Sequence, residues 1–244
     1  MLRQGERIDQ LFADDIQIIQ SKEVFSFSID AVLLANFPSL PKHGLIVDLC
    51  AGNGAVGLFA SRKTQATIHQ IELQPRLADM GARSIQLNQL DERMQMHQLD
   101  LKDAATVIQP DSVDLILCNP PYFKELSSSK KNPNPYLAAA RHELHTSLRE
   151  VVQMSAKLLK TNGRLAMVHR PDRFLDVINE MQAADIAPKR IRFVYPKPDK
   201  EANILLVEGI YKGKKEGFRV LPPFFTHHDN GEYREEMAVL LYGK

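Results

Sequence analysis

The segment Asp48-Leu49-Cys50-Ala51-Gly52-Asn53-Gly54-Ala55-Val56-Gly57 follows an apolar run, precedes a helical pattern, and ends in six residues that fit G-x-G-x-x-G. Glycines there permit a tight turn and let a ligand touch bare backbone, while the helix N-terminus behind them presents unpaired amides that favour an anionic group. Glu72 closes the next apolar run twenty residues after Gly52, where a carboxylate can accept hydrogen bonds from both hydroxyls of an adenosine ribose. A nucleoside cofactor suits this pattern. NAD and S-adenosylmethionine (SAM) fit it equally, and a tight turn beside an ordinary surface Glu is the structural alternative.

A second cluster, Asn119-Pro120-Pro121-Tyr122-Phe123, runs straight on from the apolar stretch Val113 to Cys118. Two prolines cannot continue a central strand, because they offer no amide donor and fix φ near about −65°. The chain must leave the sheet here. In an open parallel sheet the strand C-terminal ends border the ligand crevice, so Asn119 is expected to face the cofactor turn. A stiff strand-to-helix loop with no chemistry fits the same residues.

The elements that must position these clusters are legible as alternation. Short apolar runs at Leu45 to Leu49, Thr67 to Ile71, Met94 to Leu99, Val113 to Cys118 and Arg164 to Val168 read as strands. Between them, Arg76 to Leu90, Leu148 to Leu159 and Phe174 to Ala184 have helical period, and Asn162-Gly163 is expected to separate the second helix from the next strand. Alternating strand and helix predicts a parallel sheet wound on both faces, an α/β class in which the first and fourth strands flank the topological switch point. Arg190 to Tyr195 and Asn203 to Tyr211 have no helix between them and should pair antiparallel at one sheet edge. Ahead of the core, Ile8 to Phe12 and Ile16 to Gln20 suggest a hairpin, and Ser28 can cap a helix from Ile29 to Phe37 that Pro38 ends.

The organisation expected is a hairpin-and-helix flank over 1–37, a core over 38–215 and a C-terminal extension over 216–244 packed on that core. A flank of that size could scarcely bury a core of its own. The 244 residues are 44% apolar and 25% charged, which is ordinary globular usage and excludes disordered and fibrous classes. No apolar run approaches the roughly 18 residues needed to span a bilayer, and Met1 to Glu6 lacks the apolar core of a secretory signal, so a cytoplasmic protein is expected. Cys50 and Cys118 are too few for a disulfide framework or a four-cysteine zinc site; they close adjacent strands and are expected as neighbouring thiols without a disulfide. With 31 Lys and Arg against 30 Asp and Glu, the net charge is +1, so any nucleic-acid partner must meet a local basic patch.

On the glycine turn, Glu72 and Asn119 to Tyr122 together, the chain resembles class I SAM-dependent methyltransferases. Within them it is similar to the group that methylates planar amino nitrogens through an [N/D/S]-P-P-[Y/F/W] motif. The resemblance implies a Rossmann-like, mostly parallel seven-stranded sheet with an antiparallel C-terminal edge hairpin. It implies SAM as cofactor and no metal. It implies a catalytic corner of Asn119, Pro120, Pro121 and Tyr122, in which the Asn119 carboxamide oxygen and the Pro120 carbonyl accept the two hydrogens of an amine and Tyr122 stacks on the target base. For the cofactor it implies Asp48 near the sulfonium and amino end, Cys50, Gly52, Asn53 and Gly54 around the methionine part, and Glu72 and Leu73 at the ribose. Asp100 and Leu101 would lie at the cofactor adenine, with Asn119 between the two sites. Asp100 as a helix cap is compatible with that role.

Four segments narrow the resemblance to bacterial tRNA(Val) adenine N(6)-methyltransferases: Phe25 to Leu34, Asp48 to Gly57, Asn119 to Phe123, and Ala140-Arg141-His142-Glu143. That family commonly carries Gly-Thr where this chain has Cys50-Ala51. The implied substrate is tRNA, met by Phe123, Lys124, Lys130, Lys131 and Arg141 around the catalytic loop, with a monomer favoured. His142 has no catalytic role in this scheme, since methyl transfer to such an amine needs no general base near neutrality. Lys189 to Arg219 carries nine Lys and Arg against four Asp and Glu, which suits either phosphate binding or a solvated hairpin edge. Phe224-Phe225 and His227-His228 read as an apolar plug with exposed imidazoles. The alternatives are the same chemistry on DNA adenine, on an rRNA guanine or on a release-factor glutamine, and a non-catalytic SAM- or RNA-binding protein.

Overall fold

The computed structural model describes residues 2–11, 13, 15–24, 27–121 and 146–243. Seven long strands form one sheet: β3 (Leu45–Leu49), β4 (Thr67–Glu72), β5 (Met94–Gln98), β6 (Val113–Cys118), β7 (Leu159–His169), β8 (Ile186–Tyr195) and β9 (Ile204–Tyr211). Their order is β8-β9-β7-β6-β3-β4-β5, with β9 antiparallel to both β7 and β8 and the other long-strand pairs parallel. Strands β3 and β6 are apolar apart from Asp48 and Asp114, because both faces of the sheet are covered there, as parallel sheets require. Ile46 and Leu115 point to one core, Val47 and Ile116 to the other.

Helices α1 (Ile29–Asn36), α2 (Ala55–Ser61) and α3 (Pro75–Leu87) contribute to the first core, and α4 (Leu148–Leu158) and α5 (Phe174–Ala183) to the second. Pro75 occupies the first position of α3, where its missing N–H costs nothing, so the helix starts one residue before the apolar pattern suggests. It also stops at Leu87 rather than Leu90. The Asn88 side chain exchanges two hydrogen bonds with the backbone of Gln17, and Gln89 turns left-handed at φ 56°. Helix α4 starts in a capping box: the Ser147 hydroxyl accepts from the Glu150 amide, and the Ser147 amide donates to the Glu150 carboxylate at 2.8 Å. Its last residue is Leu158, because β7 begins directly at Leu159 and carries the left-handed Asn162 within it; the strand is therefore longer than its apolar half.

The hairpin of β1 (Glu6–Leu11) and β2 (Ile16–Ser21) is a separate two-stranded sheet whose Ile16 and Ile18 enter the first core. It is tied down by polar contacts as well. The Ile19 amide donates to Ser84 Oγ and the Ile19 carbonyl accepts from buried Asn53, each at 3.0 Å. At the other end of the chain, β10 (Arg219–Val220) and β11 (Phe224–Phe225) both pair parallel to the outer edge of β8, and α6 (Glu235–Tyr242) returns to α1. The C-terminal segment thus covers the edge the hairpin would otherwise expose. Among the described residues, no helix is long and apolar enough to cross a membrane.

Candidate active site

In the parallel β3–β6 ladder Leu49 lies opposite Cys118, so Cys50 and Asn119 leave the sheet side by side. From β3 the chain winds one way, to β4 and β5, and from β6 the other way, to β7. This is the switch point, where strand ends part and leave a crevice.

The turn after β3 holds three left-handed residues, Cys50 at φ 58°, Gly52 at 58° and Gly54 at 87°. A Cβ on Gly52 would meet nothing within 4 Å, so its backbone is bare toward the cleft. Gly57 has the opposite reason to be glycine. A Cβ there would stand 2.3 Å from Gln70 Nε2 and 3.3 Å from Asp48 Oδ2, in the contact between α2 and the sheet.

A cleft opens beside this turn. Cys50, Ala51, Gly52 and Asn53 form one wall, Glu72 and Leu73 a second, and Asn119, Pro121 and Thr146 a third. Leu101 lines it too, while Pro120 is buried beneath the corner and Gly54 and Asp100 stand outside the lining. Asp100 Oδ1 accepts from the Lys102 amide at 3.0 Å and so caps the 3-10 turn Leu101–Thr106. The sequence pattern missed Phe27, Ala31, Leu77 and Leu99, which add to the apolar part of the lining with Ala55, Val56 and Ile71.

Two buried carboxylates belong to the cleft, Glu72 in its wall and Asp48 behind it. Glu72 Oε2 accepts from the Gly52 amide at 2.8 Å and Oε1 from the Gln74 amide at 2.7 Å, so this one side chain shapes both the glycine turn and the entry to α3. Burial pushes its pKa up, against the pull of the amides of Gln74, Gly52 and Leu73. Asp48 does not line the cleft. Its Oδ2 accepts from the Gly57 amide at 2.9 Å and from Gln70 at 3.2 Å, while Oδ1 is buried without a hydrogen-bond partner among the described residues. Burial raises its pKa to about 7, the Gly57 amide and Gln70 working the other way and the charge of Glu72 adding to the rise.

These features fit SAM: an open glycine backbone, a buried carboxylate in the lining, apolar walls, and an orphaned carboxylate oxygen that a cation can satisfy. Among the described residues, no group of three or more His, Cys, Asp or Glu could hold a metal ion. Tyr122, Phe123, Lys124, Lys130, Lys131 and Arg141 lie outside the described residues. Lys212-Gly213-Lys214-Lys215 follows β9, whose C-terminal end pairs with the middle of β7, Ile210 opposite Arg164, which is itself opposite Leu115 near the start of β6. That basic run therefore sits at the end of the sheet away from Asn119.

Strand order, winding and a glycine turn at the switch point define the class I SAM-dependent methyltransferase fold. The crystal structure of a predicted O-methyltransferase from Agrobacterium tumefaciens superposes with a TM-score of 0.70 at 18% identity, over 88% of this chain and 96% of that one. The Pyrococcus horikoshii TYW2 structure in complex with MeSAdo gives 0.60 at 13% identity, over 87% and 74%. The chain belongs to the methyltransferase small domain family, whose profile matches residues 15–147. Among its relatives is a protein of Porphyromonas gingivalis named tRNA1(Val) (adenine(37)-N6)-methyltransferase, 31% identical over 70% of this chain and 66% of its own length. A protein of the same name from Parabacteroides distasonis is 29% identical over 73% and 74%.

Proposed function

We propose that the chain methylates N(6) of an adenosine in tRNA, the one beside the anticodon of tRNA(Val), with SAM as donor. The observation that carries this reading is the Asn119-Pro120-Pro121 corner, which closes β6 beside the glycine turn and shares its cleft with buried Glu72. The names of the relatives support the choice of tRNA. When bound, SAM supplies a methyl carbon on a sulfonium, an electrophile strong enough to need no metal.

The chain's own residues must then make a poor nucleophile attack. The lone pair of an exocyclic adenine amine is delocalised into the ring. The Asn119 carboxamide oxygen and the Pro120 carbonyl accept its two hydrogens, draw the nitrogen toward a tetrahedral geometry and stabilise the positive charge that develops there. Glu72 holds ribose hydroxyls, the turn Cys50 to Gly54 takes the methionine part, and Leu73 and Leu101 flank the nucleoside. Tyr122 stacks on the target base, worth about 1–3 kcal/mol. The direct test is transfer of labelled methyl from SAM to total tRNA followed by nucleoside mass spectrometry. A product other than N(6)-methyladenosine overturns the reading.

Asp48 gives the binding step a pH dependence. Its raised folded-state pKa means its contribution to stability is present below its ordinary value of 3.8 and lost as pH rises through about 7. A cationic ligand near Oδ1 needs the ionised form, so SAM affinity should rise about tenfold between pH 6 and 8 and then level off. Calorimetry across that range checks it. Asp48→Asn should flatten the profile, and a wild-type affinity independent of pH removes Asp48 from cofactor binding.

Charge reversal at both Lys130 and Lys131 should weaken tRNA binding and reduce the slope of log affinity against log salt, since each neutralised phosphate contributes about 0.9 to that slope on a duplex. Filter binding at several salt concentrations reads it. An unaltered slope moves the phosphate contacts elsewhere on the protein.

A further inference from the structure

Cys50 and Cys118 occupy an unusual relation at the floor of the cleft. Strand alternation would send Leu49 and Cys50 to opposite faces of the sheet. The left-handed turn at Cys50 instead returns its side chain to the apolar cluster that contains both Leu49 and Cys118. Cys118 lies directly across the ladder from Leu49, so the two cysteines are one residue apart on a diagonal between neighbouring strands. With strands about 4.8 Å apart and a rise of about 3.3 Å per residue, that diagonal is about 5.8 Å, inside the Cα separation of about 4.4–6.8 Å that disulfides accept. Both thiols are free, and Cys50 packs against the buried cluster that holds Cys118. They differ in access: Cys50 is half-buried and lines the cleft, whereas Cys118 is fully buried beneath it.

We infer that Cys50 and Cys118 are an oxidation site, in which a hydroperoxide converts the pair to a disulfide that distorts the cofactor turn and lowers affinity for SAM. The second half of this inference rests on the reading of the cleft as a SAM site. The Cys50 thiolate attacks a peroxide oxygen; the O–O bond breaks, an alcohol or water leaves, and a sulfenic acid remains. Cys118 then gives up its proton and attacks the Cys50 sulfur, and the S–O bond breaks with loss of water. Two thiols and one hydroperoxide thus become a disulfide, an alcohol and water. Burial holds the Cys118 thiol in its protonated form, which makes the second step the slower one and speeds it at alkaline pH.

The expected consequence follows from what Cys50 anchors. The next amide, Ala51 N, donates to the Ile71 carbonyl at 2.9 Å, and Gly52 N donates to Glu72, so the turn is held by its neighbours at both residues after Cys50. Drawing the Cys50 sulfur toward Cys118 pulls against both bonds and takes Cys50 out of the cleft lining.

The test uses the full chain, which has two cysteines, so a monomer two hydrogens lighter after treatment with hydrogen peroxide can only be this bond. Intact mass, non-reducing electrophoresis and thiol titration under denaturing conditions read the chemistry. Calorimetry with SAM reads the consequence, expected as a loss of affinity of about tenfold or more that dithiothreitol restores. Cys118→Ala should accumulate oxygen on Cys50 and never lose two hydrogens. If that variant does not fold, phenylarsine oxide on the wild-type protein should take up one arsenic and consume both thiols. Oxidation that adds oxygen without the crosslink, or an arsenical that leaves both thiols titratable, overturns the pair. A disulfide with unchanged SAM affinity overturns its effect on the turn. If the reduced protein does not bind SAM at all, the proposed function fails while the mass measurement still decides the thiol chemistry.

Discussion

Asn119→Ala should cut turnover by about 10²–10³ while SAM affinity stays within about twofold of wild type, because a stabiliser of developing charge acts in the transition state and little in the ground state. The structure gives reasons to expect the corner itself to survive the change. β6 is hydrogen-bonded on both sides, to β3 and β7, and five of its six residues, all but Asp114, are buried. Pro120 and Pro121 fix the backbone that follows, whatever side chain precedes them. The variant then lacks the carboxamide that wild type presents in the cleft lining. Steady-state kinetics on tRNA together with calorimetry on SAM separate the two quantities. Equal losses in rate and cofactor affinity would make Asn119 a structural residue. Asn119→Asp, which keeps an accepting oxygen at the same place, should lose less than the alanine variant.

The parts of this fold that were legible from sequence are those where one local constraint decides. Leu45 to Leu49 and Val113 to Cys118 read as strands because burial on both faces leaves no polar alternation to confuse them. The glycine turn and the two prolines were legible because φ alone restricts those residues. Where partners distant in sequence decide, the pattern fell short. The first half of β7 is polar, Lys160-Thr161-Asn162-Gly163, and joins the sheet across a register shift against β6. β10 and β11 are two residues each and exist only because the edge of β8 offers them hydrogen bonds. In the cleft, Phe27, Leu77 and Leu99 come from three segments that meet only in the folded chain; each looks like an ordinary core residue until the cleft is assembled. The inward turn of Asp48 was hidden for the same reason, since Gly57 and Gln70 become its partners only when α2 and β4 pack together. The basic run after β9 was visible as charge, but its place at the far end of the sheet depends on the direction of that strand.

Glu72→Ala should lower SAM affinity by about 10- to 100-fold and destabilise the chain at the same time, a double effect that a purely ligand-facing carboxylate would not produce. The side chain is buried and accepts from two backbone amides, Gly52 and Gln74. Hydrogen bonds to a charged group are each worth about 1.5–3 kcal/mol, and their loss leaves two amides to find new partners at the turn and at the start of α3. The ribose contact is lost with them. Glu72→Gln separates these contributions: it keeps the volume and one accepting oxygen, but its amide nitrogen must face one of the two N–H donors, so its stability and affinity should both fall between wild type and Glu72→Ala. Thermal unfolding reports the scaffold and calorimetry the ligand. A melting temperature that drops while the dissociation constant for SAM stays at the wild-type value would leave Glu72 as a brace for the turn and take the ribose away from it.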